Sequence, residues 1–128
     1  MQTENRIKIL HIVGNARIGG VVSCLLNYFR GADLKKYRFD FVTYGKCAFD
    51  DTVHETDPEA KIYYIPRLDR RPLSAMRALK KICREENYAA VHSHMTTLSA
   101  FALAPAARAH VPVRICHSHS AFDKNSDH

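Results

Sequence analysis

Apolar residues in this chain fall into short runs that alternate with helical stripes. Ile7-Lys8-Ile9-Leu10-His11-Ile12-Val13 is β-branched and almost continuously apolar, the pattern of a parallel strand buried on both faces. A glycine-containing loop, Gly14-Asn15-Ala16-Arg17-Ile18-Gly19-Gly20, follows it. Val22, Leu25, Leu26 and Phe29 then recur at i, i+3, i+4, i+7, which predicts an amphipathic helix that Gly31 can end in a left-handed cap. Residues 37–44, with Phe39, Phe41 and Val42, predict a second strand. Residues 61–65 predict a third, stopped by Pro66. Pro72 stands where a helix start tolerates proline, and Leu73, Met76, Leu79, Ile82 and Cys83 supply its apolar stripe. Residues 89–94 predict a fourth strand. Leu98, Phe101, Ala102 and Ala109 predict a helix with Pro105 as a kink, and residues 113–117 a fifth strand after Pro112.

Strands alternating with helices imply βαβ units and an α/β, Rossmann-like parallel sheet of about five or more strands. In such sheets ligands gather outside the strand carboxyl ends. The chemistry is therefore expected at Gly14–Gly20, after Tyr44, at His92–Met95 and at His117–Ser120. With 128 residues the chain holds one domain with a real core. Its 19 Lys+Arg against 13 Asp+Glu, net +6, favour an anionic partner without choosing one. The longest stretch free of Asp, Glu, Lys, Arg and His, Met95 to Ala107, is short of the ~20 residues that cross a bilayer. No secretory signal is seen, so Cys24, Cys47, Cys83 and Cys116 read as reduced thiols, with Cys24, Cys83 and Cys116 on apolar positions, and the compartment as cytoplasmic.

The glycine loop lacks G-x-G-x-x-G spacing. It also fails as a P-loop, because Gly20 stands at the lysine position and Val21 at the hydroxyl position. Two readings stay open: a turn that needs glycine conformations, or a loop that brings backbone amides close to a phosphate. Two H-x-H pairs, His92-Ser93-His94 and His117-Ser118-His119, each place two imidazoles on one strand face. They could ligate a metal, bond hydroxyls and phosphates, or sit buried with their nitrogens on backbone. Arg77, Lys80, Lys81 and Arg84 make one helix face basic, either a solvated face or a patch for anionic lipid. Aromatics are not interleaved with these charges, which argues against nucleic acid.

The run KILHIVGNARIGGVVSCLLNYFR, then YRFDFVTYG, KIYYIPR and YAAVHSHMTTLSAFALAPAARAHVPVRICHSHSAFDKNSDH, resembles the N-terminal domain of family 4 glycosyltransferases, most of all bacterial enzymes of exopolysaccharide or capsule synthesis. The resemblance implies the N-terminal, acceptor-side half of a GT-B fold. The nucleotide-sugar domain of that family, usually marked by two glutamates eight positions apart, is not expected within these residues, since no two glutamates here have that spacing. The chain then reads as a fragment, inactive by itself, of a retaining enzyme that moves a sugar from a nucleotide-sugar to a glycan or lipid-linked acceptor. By resemblance, Gly19 and Gly20 match the loop approaching donor phosphates and acceptor, with Asn15 beside them as a substrate-binding residue. His119, or His117, matches the active-site histidine, and His94 a cleft-lining position. Relatives often carry an acid after the double glycine, where Val21 and Val22 stand here. No cofactor and no metal are implied, and the setting would be the inner face of the plasma membrane. The other expectations are a metal-dependent hydrolase built on the H-x-H pairs, or an anion- or glycolipid-binding α/β module.

Overall fold

A computed structural model describes residues 6–16, 19–95 and 98–116. Five parallel strands, β1 (Ile7–Gly14), β2 (Tyr37–Thr43), β3 (Ile62–Tyr64), β4 (Ala90–Ser93) and β5 (Val113–Cys116), form one sheet in the order β3-β2-β1-β4-β5. Parallel neighbours need crossover connections, here supplied by α1 (Gly19–Gly31), α2 (Ala48–Thr56), α3 (Pro72–Glu85) and α4 (Ser99–Arg108). The α/β, Rossmann-like expectation holds, as does the adjacency of the fourth and fifth strands. Strand order runs outward from β1 in both directions, so β1 and β4 flank the point where ligands of open α/β sheets bind.

Alternation along β1 divides the core into two layers. Leu10 and Ile12 face one layer with Val42, Val91, Leu79 and Ala75 of α3, and Ala102 and Ala106 of α4. Val13 faces the other, with Phe39 and Phe41 of β2, Leu25 and Phe29 of α1, and Phe49 and Val53 of α2. Phe29, Phe39 and Phe41 form a tight aromatic group, with Phe29 edge-on to Phe41 at 5.3 Å between centroids.

Beneath the sheet, at the amino-terminal ends of its strands, lies an ionic network. Arg38 donates to Asp40 through Nε (3.0 Å) and Nη2 (2.7 Å), and Nη2 also reaches Glu86 at 3.2 Å. Glu86 further accepts from Lys8 and Lys61, while Asp40 accepts from the Tyr88 hydroxyl and the Lys61 amide. Burial alone would raise the Glu86 pKa; hydrogen bonds and charge from Lys61 and Lys8 outweigh it and hold the group at about 2.

Several local expectations need correction. Helix α2, where the sequence shows no clear stripe, is present. Gly31 ends α1 without a left-handed conformation; among the described glycines Gly14, at φ 79°, has one. The left-handed cap belongs instead to His110 (φ 66°) after α4. There Val111 N–H reaches Ala106 O and His110 N–H reaches Ala107 O, the two bonds of a Schellman motif. Cys83 is buried, but Cys24 and Cys116 are exposed, so their apolar surroundings in sequence did not make them core residues.

Candidate functional site

Where β1 ends, the register with β2 shifts between Ile12 and Gly14, and Gly14 pairs with Thr43. Gly14 turns there with positive φ, and its carbonyl accepts the Tyr44 amide at 2.9 Å. The space is tight. A Cβ on Gly14 would lie 2.7 Å from the Met95 sulfur and 3.4 Å from the Tyr44 ring. Around this turn, outside the carboxyl ends of β1 and β2, opens a cavity of about 250 Å³ lined by Gly14, Asn15, Ala16, Tyr44, Gly45 and Arg67.

Arg67, which follows Pro66 after β3, supplies the cation of this cavity. Its guanidinium lies 5.5 Å from the centre of the Tyr44 ring, and Asp69 grips it through Nε (3.0 Å) and Nη2 (2.9 Å). The Tyr44 hydroxyl accepts the Leu68 amide at 3.3 Å, which pins the segment carrying Arg67. Burial, above all, raises the Tyr44 pKa, so the phenol is protonated at neutral pH. The cavity thus offers a guanidinium, an aromatic face and the backbone of a glycine turn. That set suits an anionic or hydroxylated ligand.

Asn15 lines this cavity and is exposed, in keeping with its candidacy. Gly19 and Gly20 open α1, so the first helical amides arise at the double glycine. His94 lies elsewhere: it is 8% exposed, and its amide donates to Ile12 O at 2.9 Å. His117 and His119 lie outside the described residues.

His94 belongs to a column of three imidazoles on the α1 side of the sheet. Parallel pairing sets His11 opposite His92, and alternation brings His94 to the same face. His92 and His94 stack at 4.3 Å with 14° between rings, and His11 Nδ1 meets His94 Nε2 at 3.1 Å. Phe39 packs edge-on against His11 at 4.8 Å. Burial first, then the neighbouring His94 and His92, lowers the His11 pKa well below the usual imidazole range. The ring is neutral at pH 7.

His11, Arg67 and Tyr44 are the residues that sequence reasoning missed. Only the period-two alternation of β1, combined with its pairing to β4, carries a signal for His11. The basic residues of α3 sit as expected, with Arg77, Lys81 and Arg84 exposed and Lys80 half-buried. Arg77 and Lys80 flank a groove that Leu73, Met76 and Pro105 line and that Arg108 of α4 extends.

Residues 19–127 match the model of the glycosyl transferase 4-like domain. A putative glycosyltransferase, EpsF, of Bacillus subtilis (strain 168) is 32% identical over 117 residues, covering 88% of this chain and 30% of the relative. The chain therefore spans under a third of that relative's length. Among solved structures, a mutant O-GlcNAc transferase of Thermobaculum terrenum superposes with a TM-score of 0.64 at 19% identity, over 88% of this chain and 20% of that one. The C-terminal domain of a hydrogenase from Pyrococcus furiosus reaches 0.60 at 11% identity, over 86% and 89%. Two such different activities on one layout show that the likeness of structure speaks for the fold alone. The match along the sequence is what assigns the lineage: this chain belongs to the glycosyl transferase 4-like family.

Proposed function

We propose that this chain is the acceptor-side lobe of a retaining glycosyltransferase of surface-polysaccharide synthesis. A sugar would pass from a nucleotide-sugar to a hydroxyl of a glycan or lipid-linked acceptor. The bond from the anomeric carbon to phosphate breaks, a bond to the acceptor oxygen forms, and the nucleoside diphosphate leaves. The observation that carries this reading is the cavity at the ends of β1 and β2, with Arg67 at its rim, in a chain of this family. A second lobe would hold the nucleotide. Gly19 and Gly20 would meet its phosphates through the opening amides of α1, with Asn15 beside the acceptor. His119, or His117, would contact the transferred sugar. The transfer itself needs no metal ion in this scheme, because amides and guanidinium groups neutralise the developing pyrophosphate charge.

Sugar transfer by a longer protein that contains this chain, assayed with a panel of nucleotide-sugars, tests the reading. Arg67→Ala should lower kcat/KM for the acceptor about 10–30-fold, as loss of one charged hydrogen bond implies. Arg67→Lys should recover part of that loss. Spontaneous donor hydrolysis should stay unchanged. The 128-residue chain alone should show no turnover, and turnover by it would overturn the division of labour.

The same reading places the protein in the cytoplasm, on the inner face of the plasma membrane. Arg77 and Lys80, joined by Arg108, line the groove with Leu73, which is 70% exposed, and Lys81 and Arg84 continue the basic face of α3. Near an anionic bilayer each cation contributes about 1 kcal/mol. Among the described residues no helix is long and apolar enough to cross a membrane, so contact of this kind would be peripheral. Co-sedimentation with anionic vesicles should exceed that with neutral ones and weaken in R77E/K81E. Equal binding to both vesicle types would count against a charge-led contact.

A further inference from the structure

We propose that His11, His92 and His94 form a binding site for one transition-metal ion of the zinc(II) class, a clip between β1 and β4 that takes no part in group transfer. Each imidazole offers one nitrogen, and the three atoms lie within 4.8 Å of one another. An ion about 2.0–2.1 Å from each ligand in tetrahedral geometry needs nitrogens about 3.4 Å apart. His11 Nδ1 and His94 Nε2, at 3.1 Å, already nearly meet that spacing.

The stack must open to admit the ion. A metal lies in the plane of each ring that binds it, and two rings 14° from parallel at 4.3 Å cannot share one. Rotation of His92 about χ2, a broad two-fold torsion, removes the conflict. His92 is the half-buried member of the three, so it has room that His11 lacks.

The donors suit the ion. Neutral imidazoles present lone pairs without first losing protons, and burial keeps His11 neutral. His11 is 1% exposed and would bind through Nδ1, the nitrogen that faces His94. Three nitrogens with no carboxylate in the set select zinc, nickel, cobalt or copper over magnesium and calcium. One position stays open to a water or another oxygen donor.

The location gives the ion its role. β1 and β4 are the strands on either side of the topological switch, and His94 directly follows the second of them, next to Met95, which closes on Gly14. A metal bridge would add a side-chain tie to the ladder that already pairs β1 with β4. This inference stands independently of the proposed transfer reaction.

Titrating metal-free protein with zinc(II) by calorimetry, and with cobalt(II) by visible absorption, tests it. One equivalent should bind and raise Tm, with cobalt giving the intense bands of a four-coordinate site, while magnesium(II) leaves Tm unchanged. His11 is buried in the core, where its replacement threatens the fold itself, so His92→Gln and His94→Gln are the decisive variants. Each should weaken binding by more than about 100-fold, beyond what loss of a supporting group costs. His54→Gln and His110→Gln should bind as the parent does. Absence of stoichiometric zinc binding, or binding that survives both decisive variants, overturns the proposal.

Discussion

Asp40→Asn should destabilise the fold by about 3–5 kcal/mol, the cost of stranding one half of a buried ion pair. Asp40 is fully buried and takes four donors: two from Arg38, the Tyr88 hydroxyl and the Lys61 amide. An asparagine of the same shape turns one acceptor into a donor that faces other donors, and removes the charge opposite a guanidinium side chain that is 9% exposed. Against a total stability of about 5–15 kcal/mol, that loss is large. Urea unfolding at neutral pH measures it, with the Arg67–Asp69 pair as reference. Its side chains are 48% and 42% exposed, so Asp69→Asn should cost less than about 1 kcal/mol. Equal costs at the two sites would refute the assignment. Glu86 adds a pH signature. Its folded pKa of about 2 lies below the unfolded carboxylate value, so its contribution is complete above about 4.5 and fades as pH falls toward 2.

The legible parts of the fold were those where one property repeats. The β-branched residues of β1 and β5 and the stripes of α1 and α3 stood out because each pattern spans a full element. Helix α2 did not. It is nine residues long and buries Phe49 and Val53, one i, i+4 pair, beside Asp50 and Asp51, so its period is too short to distinguish from a loop. The left-handed residue was sought at Gly31 because glycine pays least for that conformation, yet the Schellman bonds after α4 impose it on His110. At the site, placing chemistry beyond the strand carboxyl ends required only that the sheet be parallel, and the cavity is there. Pairing His92 with His94 required only alternation. His11 required knowing that β1 pairs with β4, strands about 80 positions apart in the chain, and no local pattern encodes that register. Arg67 reaches the cavity because Tyr44 pins the Leu68 amide, again a contact between distant segments.

Gly14→Val should combine a large loss of stability with loss of acceptor binding, and the two arise from different causes. A left-handed backbone at φ 79° costs a β-branched residue about 1–3 kcal/mol. Its added carbons must also displace Met95, whose sulfur would sit 2.7 Å from the first of them, and press on the Tyr44 ring. Overpacking adds about 1–3 kcal/mol, for a total of about 2–6. Gly14→Ala isolates the backbone share, because the flexible end of Met95 can retreat from a single methyl group; about 1–3 kcal/mol should remain. Gly45→Ala is the control. It lines the same cavity, yet a Cβ there meets nothing within 4 Å, and its φ is outside the left-handed region. That variant should be neutral or slightly stabilising, since it restricts the unfolded chain. If Gly14→Ala were as harmless as Gly45→Ala, the glycine at the end of β1 would be there for close approach of a ligand and not for its turn. Acceptor affinity would then fall with no change in the urea midpoint, and the two measurements on one pair of variants tell the causes apart.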